Sequence, residues 1–237
     1  MRLIVEVDAE AAAARAALEI ANACEAALDE RKIALIALSG GRTPWRMIEK
    51  LRTCVLGWGD IHVAQVDERV VPADDERRNL KRLETLLVRE GPLPRDNLLD
   101  MPVGAADLAA AARSYQGILE AILAAPLRFD IVQLGLGIDG HTASLVTGDP
   151  VLDAIERDVA VSGEYHGTRR MTLTLAALSR ARQRLWLVTG VDKAAPLRDL
   201  IEGTAAIPAN RVERRGTLVV ADPAAAPSGL ATLVSPS

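Results

Sequence analysis

Aromatic residues are scarce in this chain, which has three Trp, two Tyr and one Phe among 237 residues. The core must therefore be largely aliphatic, and a hydrophobic content of 49% is ample for one. No apolar run approaches the roughly 18 residues that a membrane-spanning helix needs. The opening MRLIVEVDAE places Glu6 and Asp8 where a secretory leader would be apolar. A membrane partner and export are not expected, and the cytoplasm is the expected location. Basic residues are in slight deficit, 28 Lys and Arg against 32 Asp and Glu, for a formal net charge of −4. The basic face typical of nucleic-acid-binding proteins is therefore not anticipated, and no nucleic acid is expected as partner. Cys24 and Cys54 lie in helix-like segments without paired spacing, which points to reduced thiols and away from a disulfide framework or a catalytic thiol. No internal repeat and no linker-like stretch interrupts the chain, so one domain over residues 1–237 is expected. Only the Pro-, Ala- and Ser-rich end after Asp222 reads as a tail, flexible beyond about residue 228.

What the chain does have is a regular alternation of short apolar runs with longer helical segments. Apolar runs occur at LIVEV, IALIAL, IHVAQVD, FDIVQLGLG, MTLTL, RLWLVTG and TLVVAD. Between them lie helical stretches from about Asp8 to Arg31, from Pro44, from about Asn79 to Glu90, from about Ala106 to Ala124, over AALSRA, and from about Lys193 to Glu202. Repeated βαβ units of this kind imply an α/β fold, a three-layer, Rossmann-like sandwich with a mostly parallel central sheet covered by helices on both faces.

Chemistry in such a sheet gathers outside the carboxyl ends of its strands. The stretch FDIVQLGLGIDGHTASL, Phe129 to Leu145, runs from a buried strand into a glycine-rich turn carrying Asp139 and His141, one of only three histidines. Its position makes His141 a candidate catalytic base, with a hydrogen-bonded structural role as the alternative. A second strand end reads Ser39, Gly40, Gly41, Arg42, Thr43, Pro44, with Thr43 as N-cap and Pro44 at the first helical position. Two glycines before a helix start can bind phosphate through free N–H groups, although the loop also reads as a plain turn and matches neither GxxxxGK[ST] nor GxGxxG. At a third strand end, Val66 to Pro72, Asp67 could orient a base or hold a sugar hydroxyl and Arg69 could clamp an anion. The alternative there is a charged, solvated loop. Three polar strand ends that converge on one rim point to a shared site. His62, at the start of its strand, reads as structural.

The motifs LSGGRTP, VDERVVP and FDIVQLGLGIDGHTASL, in this order and spacing, resemble those of the 6-phosphogluconolactonases, and the resemblance continues through RRMTLTLAALSRARQRLWLVTGVDKA to the final LVVAD. Glucosamine-6-phosphate deaminases and isomerases of the same superfamily share the first and last loops, but carry a catalytic Glu five residues after the His, where this chain has Val146. The resemblance implies hydrolysis of a small-molecule phosphosugar lactone, with His141 moving the proton of the attacking water. Asp139 or Asp67 would orient the imidazole, and backbone N–H groups or Arg69 would hold the oxyanion. It also implies a phosphate site formed by Ser39, Gly40, Gly41, Arg42 and Thr43, with Arg170 and Lys193 as cations. No cofactor and no metal are implied, and a monomer or weak homodimer is expected.

Three departures mark this chain within that pattern. Arg78 stands where Ser usually precedes Asn79. Tyr165, His166, Gly167, Thr168 and Arg169 replace the usual Lys-Pro-Pro before the RxTLT segment, a change that could close the pocket differently. Arg169 and His166 read first as solvated loop residues, with a replacement positive charge and a substrate contact as their respective alternatives. The last strand lacks its usual aromatics, a change expected to affect packing and not chemistry. Two other functions are compatible with the motifs, an isomerase or deaminase of the same fold and a non-enzymatic sugar-phosphate sensor. The first lacks its Glu; the second would be expected to lose His141 or to carry an added binding segment.

Overall fold

The computed structural model describes residues 1–123 and 125–227; the tail expected to be flexible beyond about residue 228 lies outside them. The chain runs through β1 (Arg2–Val5), α1 (Ala9–Arg31), β2 (Ala34–Leu38), α2 (Arg42–Leu51), β3 (Ile61–Gln65), β4 (Asp67–Arg69) and α3 (Asn79–Leu83), which continues as a π-type turn over Glu84–Arg89. It then forms β5 (Leu98–Leu99), α4 (Leu108–Leu123), β6 (Ile131–Leu134), β7 (Val159–Val161), β8 (Arg170–Leu173), α5 (Leu175–Arg180), β9 (Gln183–Val188), α6 (Ala194–Glu202) and β10 (Thr217–Ala221).

Seven strands form one parallel sheet in the order β1-β10-β9-β6-β2-β3-β5. Every residue of β2 is buried. Because successive side chains point to opposite faces, Leu35 and Ala37 enter one core while Ala34, Ile36 and Leu38 enter the other. The first core is closed by α4, α5 and α6, and the second by α1, α2 and α3. This is the expected three-layer α/β sandwich. The helix α1 meets the sheet through an alanine face, Ala12, Ala13, Ala16 and Ala17, and starts at Asp8, whose side chain accepts from Ala11 N at 2.7 Å.

Strand order reverses beside β2. The chain moves outward from β2 through β3 to β5, then returns to lay β6 on the other side of β2 before adding β9 and β10. Connections on either side of such a point leave in opposite directions, which opens a crevice between the loops after β2 and β6.

Two expectations need correction. The MTLTL run and the acidic end of IHVAQVD do not extend the parallel sheet. They form a separate three-stranded antiparallel sheet, β4-β8-β7, standing on the carboxyl ends of the main sheet. Val66 is the pivot between the two sheets. Its N–H donates to Leu38 O of the main sheet at 3.0 Å, and its carbonyl accepts from Leu173 N of the small sheet at 2.9 Å. The second correction concerns α2, which begins at Arg42 with Gly41 at the N-cap, so that Thr43 is inside the first turn and caps nothing. Gly41 takes φ +130°, a conformation closed to Thr, and this moves the helix start forward.

Candidate active site

The crevice at the reversal point has a volume of about 650 Å³. Its walls are the loop after β2 (Ser39 to Pro44), the loop after β6 (Gly135 to Ala143), the loop after β9 (Thr189 to Lys193), and Asp67, Arg69, Tyr165, His166 and Arg170 from the small sheet. All candidate residues named from the sequence therefore line it except Asp139, which stands directly behind His141. Its lining includes five cationic side chains, Arg42, Arg46, Arg69, Arg170 and Lys193, against three carboxylates, Asp67, Asp192 and Asp222. A protein of net negative charge thus builds a locally positive pocket, which suits an anionic ligand.

The Asp139–His141 pair is the geometric centre of the loop after β6. Asp139 Oδ1 lies 2.5 Å from His141 Nδ1 and also accepts from the His141 backbone N–H at 3.2 Å. The turn is closed by Gly137 N donating to His141 O at 2.8 Å and Gly140 N donating to Gly137 O at 3.1 Å. Gly137 has no room for a side chain, since a Cβ would stand 2.1 Å from His141 Nδ1. Gly140 has φ +78°. With Nδ1 engaged by a carboxylate, Nε2 makes no hydrogen bond among the described residues. Partial burial pushes the Asp139 carboxyl up, but the hydrogen bond and charge of His141, with help from Tyr165, outweigh it and the net shift is downward.

Asp67 does not touch the imidazole. Its Oδ2 accepts from Ser144 Oγ at 2.5 Å, and its backbone carbonyl accepts from Asn79 Nδ2 at 2.9 Å. Arg69 is held by two bonds, from Nη1 to Arg77 O at 2.7 Å and to Asn79 Oδ1 at 2.8 Å. Asn79 thus fixes both flanks of β4, and it also presses on the first glycine loop, where a Cβ on Gly40 would meet Asn79 Oδ1 at 1.9 Å. Arg170 pairs across the small sheet with Arg69 and is 9% exposed, and its Nε is buried without a hydrogen-bond partner among the described residues. Burial pushes the Arg170 guanidinium down from its ordinary value, although the group remains a cation.

In the loop after β2, Ser39 has neither donor free. Its N–H donates to Gln133 Oε1 at 3.1 Å and its Oγ–H to Gln133 O at 2.9 Å, tying β2 to β6. Gly40, Gly41, Arg42 and Thr43 present the amino end of α2 to the crevice, and the N–H groups of the first turn have no intrahelical partners. Thr43 Oγ1 lies 3.0 Å from Thr189 Oγ1, linking this loop to the one after β9. Asp222 shapes that second loop by accepting from Gly190 N at 3.0 Å, and Lys193 follows at the start of α6.

Several residues in or beside the crevice escaped the sequence reading. Glu68 is completely buried and accepts from Gln65 Nε2, Arg69 N, Asn79 N and Leu80 N, at 2.8–2.9 Å. Nothing in a DER triplet marks its middle residue as the buried one until the strand pairing is known. Arg46 lies one turn beyond Arg42 on the crevice side of α2, a signal that correct placement of the helix start would have supplied. Tyr165, to which the sequence assigned no role, and His166, whose preferred reading was a solvated residue, line the crevice beside His141, whereas Arg169 points to the other side of β8 and lines a smaller groove. Among the described residues no three His, Cys, Asp or Glu side chains converge as a metal cage would require.

The family model described as glucosamine-6-phosphate isomerases/6-phosphogluconolactonase matches residues 7–220. The 6-phosphogluconolactonase of Synechocystis sp. is 34% identical over 200 residues, covering 81% of this chain and 83% of that protein. The 6-phosphogluconolactonase of Mycobacterium tuberculosis is 35% identical over 230 residues, covering 91% and 93%. The solved 6-phosphogluconolactonase from Trypanosoma cruzi superposes with a TM-score of 0.83 at 25% identity, covering 94% of this chain and 95% of that one.

Proposed function

The chain belongs to the glucosamine-6-phosphate isomerase/6-phosphogluconolactonase family, and from that premise we propose that it hydrolyses 6-phospho-D-glucono-1,5-lactone to 6-phospho-D-gluconate, the second step of the oxidative pentose phosphate pathway. The observation that carries this reading is the Asp139–His141 pair at the wall of a cation-lined crevice. Lactone hydrolysis needs a base for water, a stabiliser for the oxyanion and an anchor for the substrate. It does not need a residue to shuttle protons between adjacent carbons, and position 146, where a deaminase would carry Glu, is Val.

His141 Nε2 takes a proton from water as the oxygen attacks the lactone carbonyl, and Asp139 balances the imidazolium that forms. Collapse of the tetrahedral intermediate expels the ring oxygen, which receives the proton from the same nitrogen. Asp139 is the orienting carboxylate in this reading, because Asp67 is committed to Ser144. Arg69 and Arg170 face the carbonyl end and stabilise developing negative charge there. The phosphate sits at the amino end of α2, on Gly40, Gly41, Arg42 and Thr43, with Arg46 and Lys193 as counter-charges. Ser39 contributes by holding the loop, since both of its donors are spent on Gln133. The same reading puts the enzyme in the cytoplasm as a monomer or weak homodimer.

The test is hydrolysis of freshly generated lactone, coupled to 6-phosphogluconate dehydrogenase and corrected for spontaneous opening. The native protein is expected to accelerate the reaction, and His141→Ala to lose a factor of about 10²–10⁴ while staying folded. A native rate equal to the blank would discard the lactonase and direct attention to amino-sugar phosphates.

A further inference from the structure

The hairpin joining β7 to β8 ends over the catalytic pair. At its tip Tyr165 and Thr168 bridge each other, and His166 and Gly167 take successive φ values of +52° and +73°. Two positive values in a row make the turn whose twist matches the strands on either side, so the tip is a defined structure.

Besides the neighbouring His166 ring, whose centroid is 4.1 Å away, the Tyr165 side chain meets three groups at once. Its hydroxyl donates to Asp139 Oδ2 at 3.1 Å. Its ring stands edge-on to the His141 imidazole, centroids 5.4 Å apart and planes at 65°. The Arg170 guanidinium carbon lies 4.9 Å from the ring centroid, a cation–π distance. Asp139 has two carboxylate oxygens, and both are now engaged, Oδ1 by His141 and Oδ2 by Tyr165. A carboxylate held at one oxygen can rotate about its terminal torsion, which has a broad energy well. One held at both oxygens cannot rotate without breaking a bond.

We propose that Tyr165 is a positioning residue for the reaction: it clamps Asp139 through its second oxygen, fixes the plane of the His141 ring, and is itself backed by Arg170. The proposal rests on the lactonase reading of His141. Tyr165 is suited to donate and not to accept, because burial and then the neighbouring Asp139 charge push its phenol up and keep it protonated. The clamp also supplies the aromatic neighbour that the base otherwise lacks in a chain with so few aromatics.

Tyr165→Phe keeps the ring, the edge contact and the guanidinium stack, and removes one O–H. In the lactonase assay its kcat is expected to fall roughly tenfold, the low end of the loss known for outer partners of metal-bound histidines, with KM little changed. Relieved of one donor, Asp139 pulls harder on the imidazole proton, so the acid limb of the kcat profile is expected to move to higher pH. Thr168→Ala perturbs the same hairpin without touching Asp139 and is expected to behave as the native protein. An NMR titration of the His141 ring, native against Tyr165→Phe, reads the clamp without any substrate and is expected to show the same upward displacement. A native kcat in Tyr165→Phe, or a titration that does not move, overturns the proposal. If the native protein proves not to hydrolyse the lactone, the lactonase reading falls, and the titration alone decides whether the clamp exists.

Discussion

Arg78 and Glu68 form an ion pair inside the protein, with Arg78 Nε 3.2 Å from Glu68 Oε2 and the carboxylate fully buried. The pair stands where the family pattern has a Ser before Asn79, and it joins β4 to the start of α3, the two elements that place Asp67, Arg69 and Asn79 around the crevice. Glu68 also accepts two main-chain N–H groups from α3, which has no side-chain N-cap of its own. The carboxylate therefore serves as the cap, reaching in from the neighbouring strand.

Glu68→Gln is expected to destabilise the protein by about 3–5 kcal/mol, because it strands a buried guanidinium and sets an NH₂ group against backbone donors. Urea unfolding of the two proteins measures it. A loss under about 1 kcal/mol would mean that Arg78 reaches water once Glu68 is neutral.

Gly137→Ala is expected to remove activity and spare the fold. The added Cβ would meet His141 Nδ1 at 2.1 Å and Asp139 Oδ1 at 2.6 Å, so the pair must separate or rotate. A displacement of about 1 Å costs on the order of 10²-fold in rate. The expected result is that loss in kcat beside a melting temperature close to native, read by the coupled assay and by circular dichroism.

Arg42→Ala and Lys193→Ala are each expected to raise KM for the phosphorylated lactone about tenfold, close to 1.4 kcal/mol of binding, and to leave kcat nearly unchanged. Neither should affect hydrolysis of unphosphorylated gluconolactone. Both groups are partly or fully solvent-accessible, so the difference from native is expected to shrink as salt is raised. Equal KM values in native and variant proteins would move the phosphate away from the α2 end of the crevice.

Alkaline pH is expected to destabilise the fold through two buried acids. Burial pushes the Cys24 thiol up to about 12, and burial likewise raises the Tyr115 phenol, whose hydroxyl donates to Leu99 O at 3.0 Å inside the core. Both groups stay neutral in the folded protein while they ionise in the unfolded chain, so the unfolded state gains as pH rises above about 8.5. Stability to urea should hold below that value and decline steadily above it. Cys24→Ala is expected to flatten the first part of the decline.

The sheet and its helices were legible because burial on both faces writes near-continuous apolar runs into parallel strands, and helices write a 3.6-residue period. IALIAL and FDIVQLGLG became β2 and β6, and the loops after them became two walls of the crevice. The place of His141 on the crevice wall was legible because it follows a glycine turn at the end of a central strand. The small antiparallel sheet was not. Its strands are three or four residues long, too short for a period to emerge, and the pairing that adds β4 to the β7–β8 hairpin joins residues about a hundred positions apart, Asp67 with Thr172 and Arg69 with Arg170.

By itself the sequence determined the layered α/β fold and the convergence of three polar strand ends, and it singled out His141 as the candidate base, all of which depend on local patterns and on the chirality of βαβ connections. Only the tertiary structure decided which carboxylate partners His141, that Ser39 is spent on Gln133, that Glu68 is buried among donors, and that Tyr165 closes over Asp139. Ser39 with Gln133 and Tyr165 with Asp139 are contacts across many residues of chain, set by where two elements meet in space. The Asp139–His141 and Glu68 contacts are partly local, but which of several nearby polar groups they join is decided by the fold around them.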